Sequence, residues 1–267
     1  LKLVSSDRDI EADTVFRADP LSAKKTDQVH TEIQNALLTL CEPLHLNVWV
    51  GTWNVNEKSP PNDLRPWMDF LPDKQAVEGE LDDSCPKILA FGIQELDMSS
   101  SAFVYHDQNK DQAWYDAISM TLGSLAGSYK RVVSKRLVGM LVAVYVHESI
   151  QKLVPATQRC QVNCGFMHIG NKGAVSARIQ VAGCSIAFVN VHLAAHQGAE
   201  YAKERNRQAH VIFDGLRFGP TNQDFQDPSN MLYNSVHAAR DTLTAQPRVI
   251  RSSGSDIVVF FGDMNYR

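Results

Sequence analysis

The chain has 267 residues, of which 44% are hydrophobic and 21% charged, and a formal net charge of -4. That length allows one large domain or two small ones with a sizeable core. The charge excludes a strongly basic nucleic-acid binder, but not an anionic small-molecule site, which needs only a few local cations. No apolar run reaches the roughly eighteen residues of a membrane-spanning helix. The first residues carry Asp, Arg and Glu where a signal peptide would be apolar. Five cysteines, Cys41, Cys85, Cys160, Cys164 and Cys184, are odd in number and irregular in spacing. They read as reduced, mostly buried thiols, which suits a cytoplasmic setting. The start at Leu1 and the stop just after a motif read as a piece of a longer protein.

Residues 1–25 are polar and aperiodic, a linker. Residues 26–40 carry Val29, Ile33, Leu37 and Leu40, a helical stripe, which Pro43 ends. Residues 46–53 alternate with the period of a strand. Residues 59–63 form a loop, and the apolar run 88–93 has the length of a strand. Residues 114–125 predict a helix, and 137–146 a buried strand. Two more strands, 175–181 and 185–191, flank a turn at Ala182-Gly183. Residues 198–213 predict an amphipathic helix and 222–230 a polar loop. Residues 256–261 predict a strand buried on both faces, central in its sheet. Many apolar strands and few helices imply two sheets packed face to face and covered by helices. The domain reading is a linker and helix at 1–45 and a catalytic domain at 46–267.

Polar groups gather where four of these strands stop: at Thr52 to Asn56, at Gln94 to Asp97, at Asn190 to His196, and at Gly262 to Arg267. Rigid scaffolds present reactive groups at such strand ends. Any one of the four alone is explained by a capping Asp or a surface Asn. A carboxylate at Glu95, next to an apolar run, calls for a cation or solvent. Glu95 with the amide oxygen of Asn54 suits the hard-oxygen preference of Mg²⁺. Asp263 and Asn265, at i and i+2, point the same way from extended backbone, so both can act on one group of atoms. His192 and His196 have the spacing of a zinc pair, but Leu193 stands where the zincin glutamate belongs. Phosphate contact or proton handling fits them better. Gly170-Asn171-Lys172-Gly173 sets a cation between glycines that let backbone approach an anion. Its spacing is not that of a P-loop, and read alone it is a polar turn.

Together and in this order, Asn54, Gln94-Glu95, Gly170-Asn171-Lys172-Gly173, His192-Leu193-Ala194-Ala195-His196 and Gly262-Asp263-Met264-Asn265-Tyr266-Arg267 resemble the signature set of the inositol polyphosphate 5-phosphatases. Residues 94–107 and 135–146 are most similar to the type II branch. The resemblance implies a DNase I-like four-layer α-β-β-α sandwich with two mixed sheets between helices. It implies a Mg²⁺-dependent hydrolase that removes the 5-phosphate of phosphoinositides or soluble inositol polyphosphates, cytoplasmic and peripheral at membranes, with no nucleic acid as partner. By position, Glu95 and Asn54 would hold Mg²⁺, and Asp263 would orient and deprotonate water. Asn265 and His192 would contact the scissile phosphate, while His196, Asn171 and Lys172 would hold the phosphorylated ring. The apolar stretches 102–105 and 166–167 have two readings: ordinary core packing, or a place beside the site, against lipid.

Ala174 replaces a usual third glycine. The family pattern also continues with a Pro-Ala-Trp-x-Asp-Arg segment and a Ser-Asp-His segment, neither of which occurs here. The expectation is therefore a C-terminally incomplete domain, inactive by itself. An endonuclease of the same superfamily and a non-catalytic scaffold domain are the alternative readings.

Overall fold

A computed structural model describes residues 45–71, 85–99, 107–165, 171–218, 250–251 and 254–266. All of these except His45 lie in the unit Leu46–Arg267. The helix expected at 26–40, the loop at 222–230, the stretches 102–105 and 166–167, and Gly170 lie outside the described residues.

Strands β1 (Val48–Asn54), β2 (Ile88–Gln94), β3 (Tyr129–Leu137) and β4 (Met140–His147) form one sheet in the order β1-β2-β4-β3. Strands β5 (Ala156–Asn163), β6 (Gly173–Val181), β7 (Cys184–His192) and β10 (Ile257–Asp263) form the second, in the order β10-β7-β6-β5. A short pair, β8 (Arg217–Phe218) and β9 (Ile250–Arg251), stands apart. The pairs β1–β2 and β7–β10 are parallel and the other pairs of the two large sheets antiparallel, so both sheets are mixed.

Alternation along the strands explains the layers. On β2, Ile88 and Ala90 join Val142, Val144, Val175, Ile179 and Phe188 in the core between the sheets. The intervening Leu89, Phe91 and Ile93 turn outward and pack with Trp114, Ile118 and Leu122. Those three lie on helix α1 (Gln108–Leu122). On β7, Ala187, Val189 and Val191 face outward into a third cluster with Ile212 and Leu216. Ile212 belongs to helix α3 (Ala199–Gly215), which follows the short helix α2 (Glu148–Gln151). A strand covered on both faces reads as a continuous apolar run, as β2 and β4 do. The result is a helix, two sheets and a helix, the four-layer sandwich the sequence implies.

The expected hairpin at Ala182-Gly183 is present. Both residues have positive φ, 48° and 87°, as a two-residue turn matched to strand twist requires.

Three boundaries differ from expectation. Helix α1 starts at Gln108, because the Asp107 side chain caps it by accepting from the Asn109 amide. After Leu122 a 3₁₀ segment, Gly123–Ser128, replaces its expected last residues. The apolar run 137–146 is not one strand: Leu137 ends β3, and Val138 (φ 49°) and Gly139 turn the chain into β4. The polar strands β3 and β5 escape a hydrophobicity reading, since each is an edge strand. Strand β10 is also an edge among the described residues, paired with β7 alone. Its Ile257 is 47% exposed, so it is not buried on both faces there.

Candidate active site

Strand register assembles the site. In β1–β2, Asn54 stands opposite Gln94. In β7–β10, His192 stands opposite Asp263, and across the antiparallel pair it faces Gly173. All four polar strand ends therefore lie at one end of the sandwich, and Lys172 arrives there one residue before β6.

A buried amide aligns the two sheets. Asn190, fully enclosed on β7, donates from Nδ2 to the carbonyls of Ile93 (3.1 Å) and Leu141 (2.9 Å) in the opposite sheet. Its Oδ1 accepts from Gln94 Nε2 at 2.6 Å, and the same Nε2 donates to Thr52 Oγ1 at 3.1 Å. Gly92 makes this crossing possible, because a Cβ there would lie 2.5 Å from the Phe261 ring and 2.9 Å from Asn190. A satisfied polar network in a low-dielectric interior fixes a unique register.

A cluster of polar side chains sits just beyond. Asn54 Nδ2 donates to both Glu95 Oε1 (2.9 Å) and Asp263 Oδ2 (3.0 Å). His192 Nε2 lies 3.6 Å from each of those same carboxylate oxygens. Lys172 Nζ approaches His192 Nε2 to 2.5 Å. Burial first, and then the Lys172 charge, push the imidazole down to about 4, against the opposing pull of Asp263 and Glu95. His192 is therefore neutral, with Nε2 accepting from the ammonium, and its carboxylate contacts are not ion pairs. Burial also lowers the pKa of Lys172, while Asp263 and Glu95 raise it. Two carboxylates face one ammonium, which leaves negative charge to attract a cation.

The oxygen set fits Mg²⁺, which takes one or two carboxylates and fills its shell with water and phosphate. No group of three His, Cys, Asp or Glu side chains among the described residues could hold a metal alone. As placed, Asn54 turns its nitrogen to the carboxylates, and its Oδ1 accepts from the Asn56 amide at 3.1 Å. Amide orientation is assigned from such bonding, so Asn54 would ligate a metal only after turning over.

Asn265 departs from expectation. It has φ 54°, not an extended backbone. Its amide N–H donates back to Asp263 Oδ1 (3.1 Å) and its Nδ2 to the Leu193 carbonyl (3.0 Å). It holds the loop instead of pointing alongside Asp263. His196 is exposed, with φ 77° and its ring 5.0 Å from Tyr201. Asn171 is half-buried against Gly165, and its Oδ1 has no hydrogen-bond partner among the described residues. Among the described residues, neither side chain is hydrogen-bonded to the cluster of Asn54, Glu95, Lys172, His192 and Asp263.

Sequence reasoning missed two groups. Arg205 and Gln208, each 3% exposed on α3, hold the loop after β7 from behind. Their spacing with Ile212, at i, i+3 and i+7, was the available signal: polar residues on a helical stripe that faces the core. The other is Asp97, in the strand-end segment 94–97, to which sequence reasoning assigns no role; it is buried and meets Lys110 Nζ at 2.8 Å and Arg136 Nη2 at 3.6 Å. Burial would raise its pKa, but the bonds from Lys110 and Ser99 outweigh that and hold it below the usual carboxylate value. Together with the bond from the Leu96 amide to the Gly139 carbonyl, these contacts fix the segment that carries Glu95 at φ 54°.

The chain matches the model of Endonuclease/Exonuclease/phosphatase family 2 over residues 51–267. It is 32% identical over 257 residues to the type II inositol 1,4,5-trisphosphate 5-phosphatase of Mus musculus, covering 96% of this chain and 21% of that protein. Against the type II inositol polyphosphate 5-phosphatase 14 of Arabidopsis thaliana it is 28% identical, covering 90% and 21%. The chain thus spans about a fifth of the length of these curated relatives. Its fold matches the inositol polyphosphate 5-phosphatase domain of SPsynaptojanin, solved with inositol (1,4)-bisphosphate and a calcium ion. That match has a TM-score of 0.64 and 23% identity, over 90% of this chain and 59% of the other. The chain belongs to Endonuclease/Exonuclease/phosphatase family 2, and its curated relatives are inositol polyphosphate 5-phosphatases.

Proposed function

We propose that this chain carries the metal-assisted hydrolysis of the 5-phosphate from phosphoinositides or soluble inositol polyphosphates, with Mg²⁺ as the ion. The observation that carries this reading is the convergence of Asn54, Glu95 and Asp263, with both carboxylates 3.6 Å from His192 Nε2. When bound, the ion neutralises charge on the phosphoryl oxygens. Glu95, and Asn54 through its amide oxygen, would hold it. Asp263 orients the attacking water and accepts its proton. Lys172 stands beside the carboxylates as a fixed cation for the incoming phosphate. Neutral His192, held by Lys172, contacts the scissile phosphate with little desolvation left to occur. Asn171 supports the ring side of the site from its place next to Lys172 in the segment before β6. His196 serves the same ring from the exposed rim, and Asn265 acts on the scissile phosphate through the loop it braces. Where the substrate is a lipid headgroup, the chain works peripherally at a membrane surface.

The test is phosphate release from a soluble inositol 5-phosphate, with Mg²⁺ and in excess chelator, in the chain set in its longer parent. Glu95→Gln should abolish metal-dependent turnover. Asp263→Asn should lower kcat by at least about 10²-fold with KM little changed, the scale of lost general-base help. Wild-type rates in either variant would remove these roles. Cleavage of DNA in place of the inositol substrate would turn the assignment to the endonuclease chemistry of the superfamily.

A further inference from the structure

Arg205 is a buried charge that the catalytic scheme leaves unused. It is 3% exposed. Among the described residues no carboxylate lies within ion-pair distance of it, and its Nε has no hydrogen-bond partner. Leaving a guanidinium in such a place is costly, and each unsatisfied buried group asks for an explanation. Its contacts supply one. Nη1 donates to two carbonyls of the loop after β7, Ala194 (3.2 Å) and His196 (2.8 Å). The guanidinium also lies 5.0 Å from the ring centroid of Tyr266, in the loop after β10. One side chain therefore touches both loops that follow the strands of His192 and Asp263.

The neighbours reinforce the join. Gln208, one turn along α3, accepts from the Ala194 amide at 2.8 Å. Asn206 accepts from the Tyr266 hydroxyl at 2.5 Å. The loops meet directly as well, through the Leu193 amide on the Asp263 carbonyl (3.0 Å) and Asn265 Nδ2 on the Leu193 carbonyl (3.0 Å). His196 and Asn265 both have positive φ, a strained backbone that persists only where its surroundings hold it.

We propose that Arg205 is a positioning residue that clamps the loop at 193–196 to the loop at 263–266 and so sets the spacing between His192 and Asp263. Lysine keeps the charge but not the planar fork that can bind carbonyls and stack on a ring together. For its activity arm the proposal rests on the 5-phosphatase reading above. The amide-exchange arm does not.

Backbone amide exchange is measured on the full chain for wild type, Arg205→Lys, Tyr266→Leu and Tyr266→Phe. In Arg205→Lys, exchange at 193–196 and at 265–266 should rise about tenfold, while amides of β2 and β4 in the opposite sheet stay unchanged. Tyr266 is 53% exposed, so its variants keep the fold even if Arg205→Lys does not. Tyr266→Leu should loosen 194–196 by about fivefold through loss of the stack, and Tyr266→Phe should not. Unchanged exchange at 194–196 in Tyr266→Leu, or a uniform rise across both sheets in Arg205→Lys, overturns the clamp. In the phosphate assay, Arg205→Lys should lower kcat at least about tenfold with KM nearly constant, as misplacement of reacting groups does. A loss of folded protein alone would instead scale the rate with the folded fraction. If wild type, set in its longer parent as above, releases no phosphate, the 5-phosphatase reading falls and the exchange result still decides the clamp.

Discussion

Replacing His192 by glutamine should flatten part of the chain's acid sensitivity. His192 is 1% exposed, and burial, followed by Lys172, lowers it from 6.5 to about 4. Because the folded value lies below the unfolded one, the unfolded chain takes up the proton first as pH falls. The stability linked to this group is intact above about 6.5 and is lost progressively down to about 4, below which both states are protonated. The gap between those values corresponds to roughly 3 kcal/mol at full extent. Glutamine keeps an acceptor for Lys172 Nζ and cannot titrate. The assay is urea unfolding of wild type and His192→Gln in chelator, stepped from pH 7.5 to 4. Wild type should lose about 3 kcal/mol more than the variant across that window. Equal pH slopes in the two proteins would refute a neutral, buried His192.

Two further outcomes concern the scaffold. Trp114 is 1% exposed and meets Trp53 and Trp67 edge to face, so Trp114→Ala should cost about 3–5 kcal/mol, read as a lowered urea midpoint. Arg136→Met strips the buried Asp97 and Asp111 of a shared partner and should cost roughly 3 kcal/mol. Adding Asp111→Asn to that variant should restore part of the loss, measured by the same unfolding curves; no restoration would remove Asp111 from the network.

Much of the site was legible because chemistry and strand ends coincide in the sequence. Asn54, Glu95, His192 and Asp263 each follow an apolar run that could only be a strand, and a polar group where such a run stops stands out. The edge strands β3 and β5 were not legible, since a strand exposed along one side carries charged residues without clear alternation. The strand at 256–261 looked central because periodicity reports apolar content, whereas the number of neighbours is a property of the sheet. Asn265 was misread because i and i+2 share a side only if the backbone is extended, and here it turns left-handed.

The sequence by itself determined which residues could do chemistry and that the chain would layer strands between helices. Hydrophobic period and residue type are local properties, and they survive without coordinates. Only the tertiary structure decided which groups meet. The parallel registers of β1 with β2 and of β7 with β10, together with the Asn190 stitch between sheets, bring Asn54 to Asp263 across 209 residues of chain. Tertiary placement also decided protonation, since it is burial beside Lys172 that makes His192 neutral. The same is true of Arg205, an ordinary helix arginine in the sequence, whose burial behind two loops depends on how α3 packs against the second sheet.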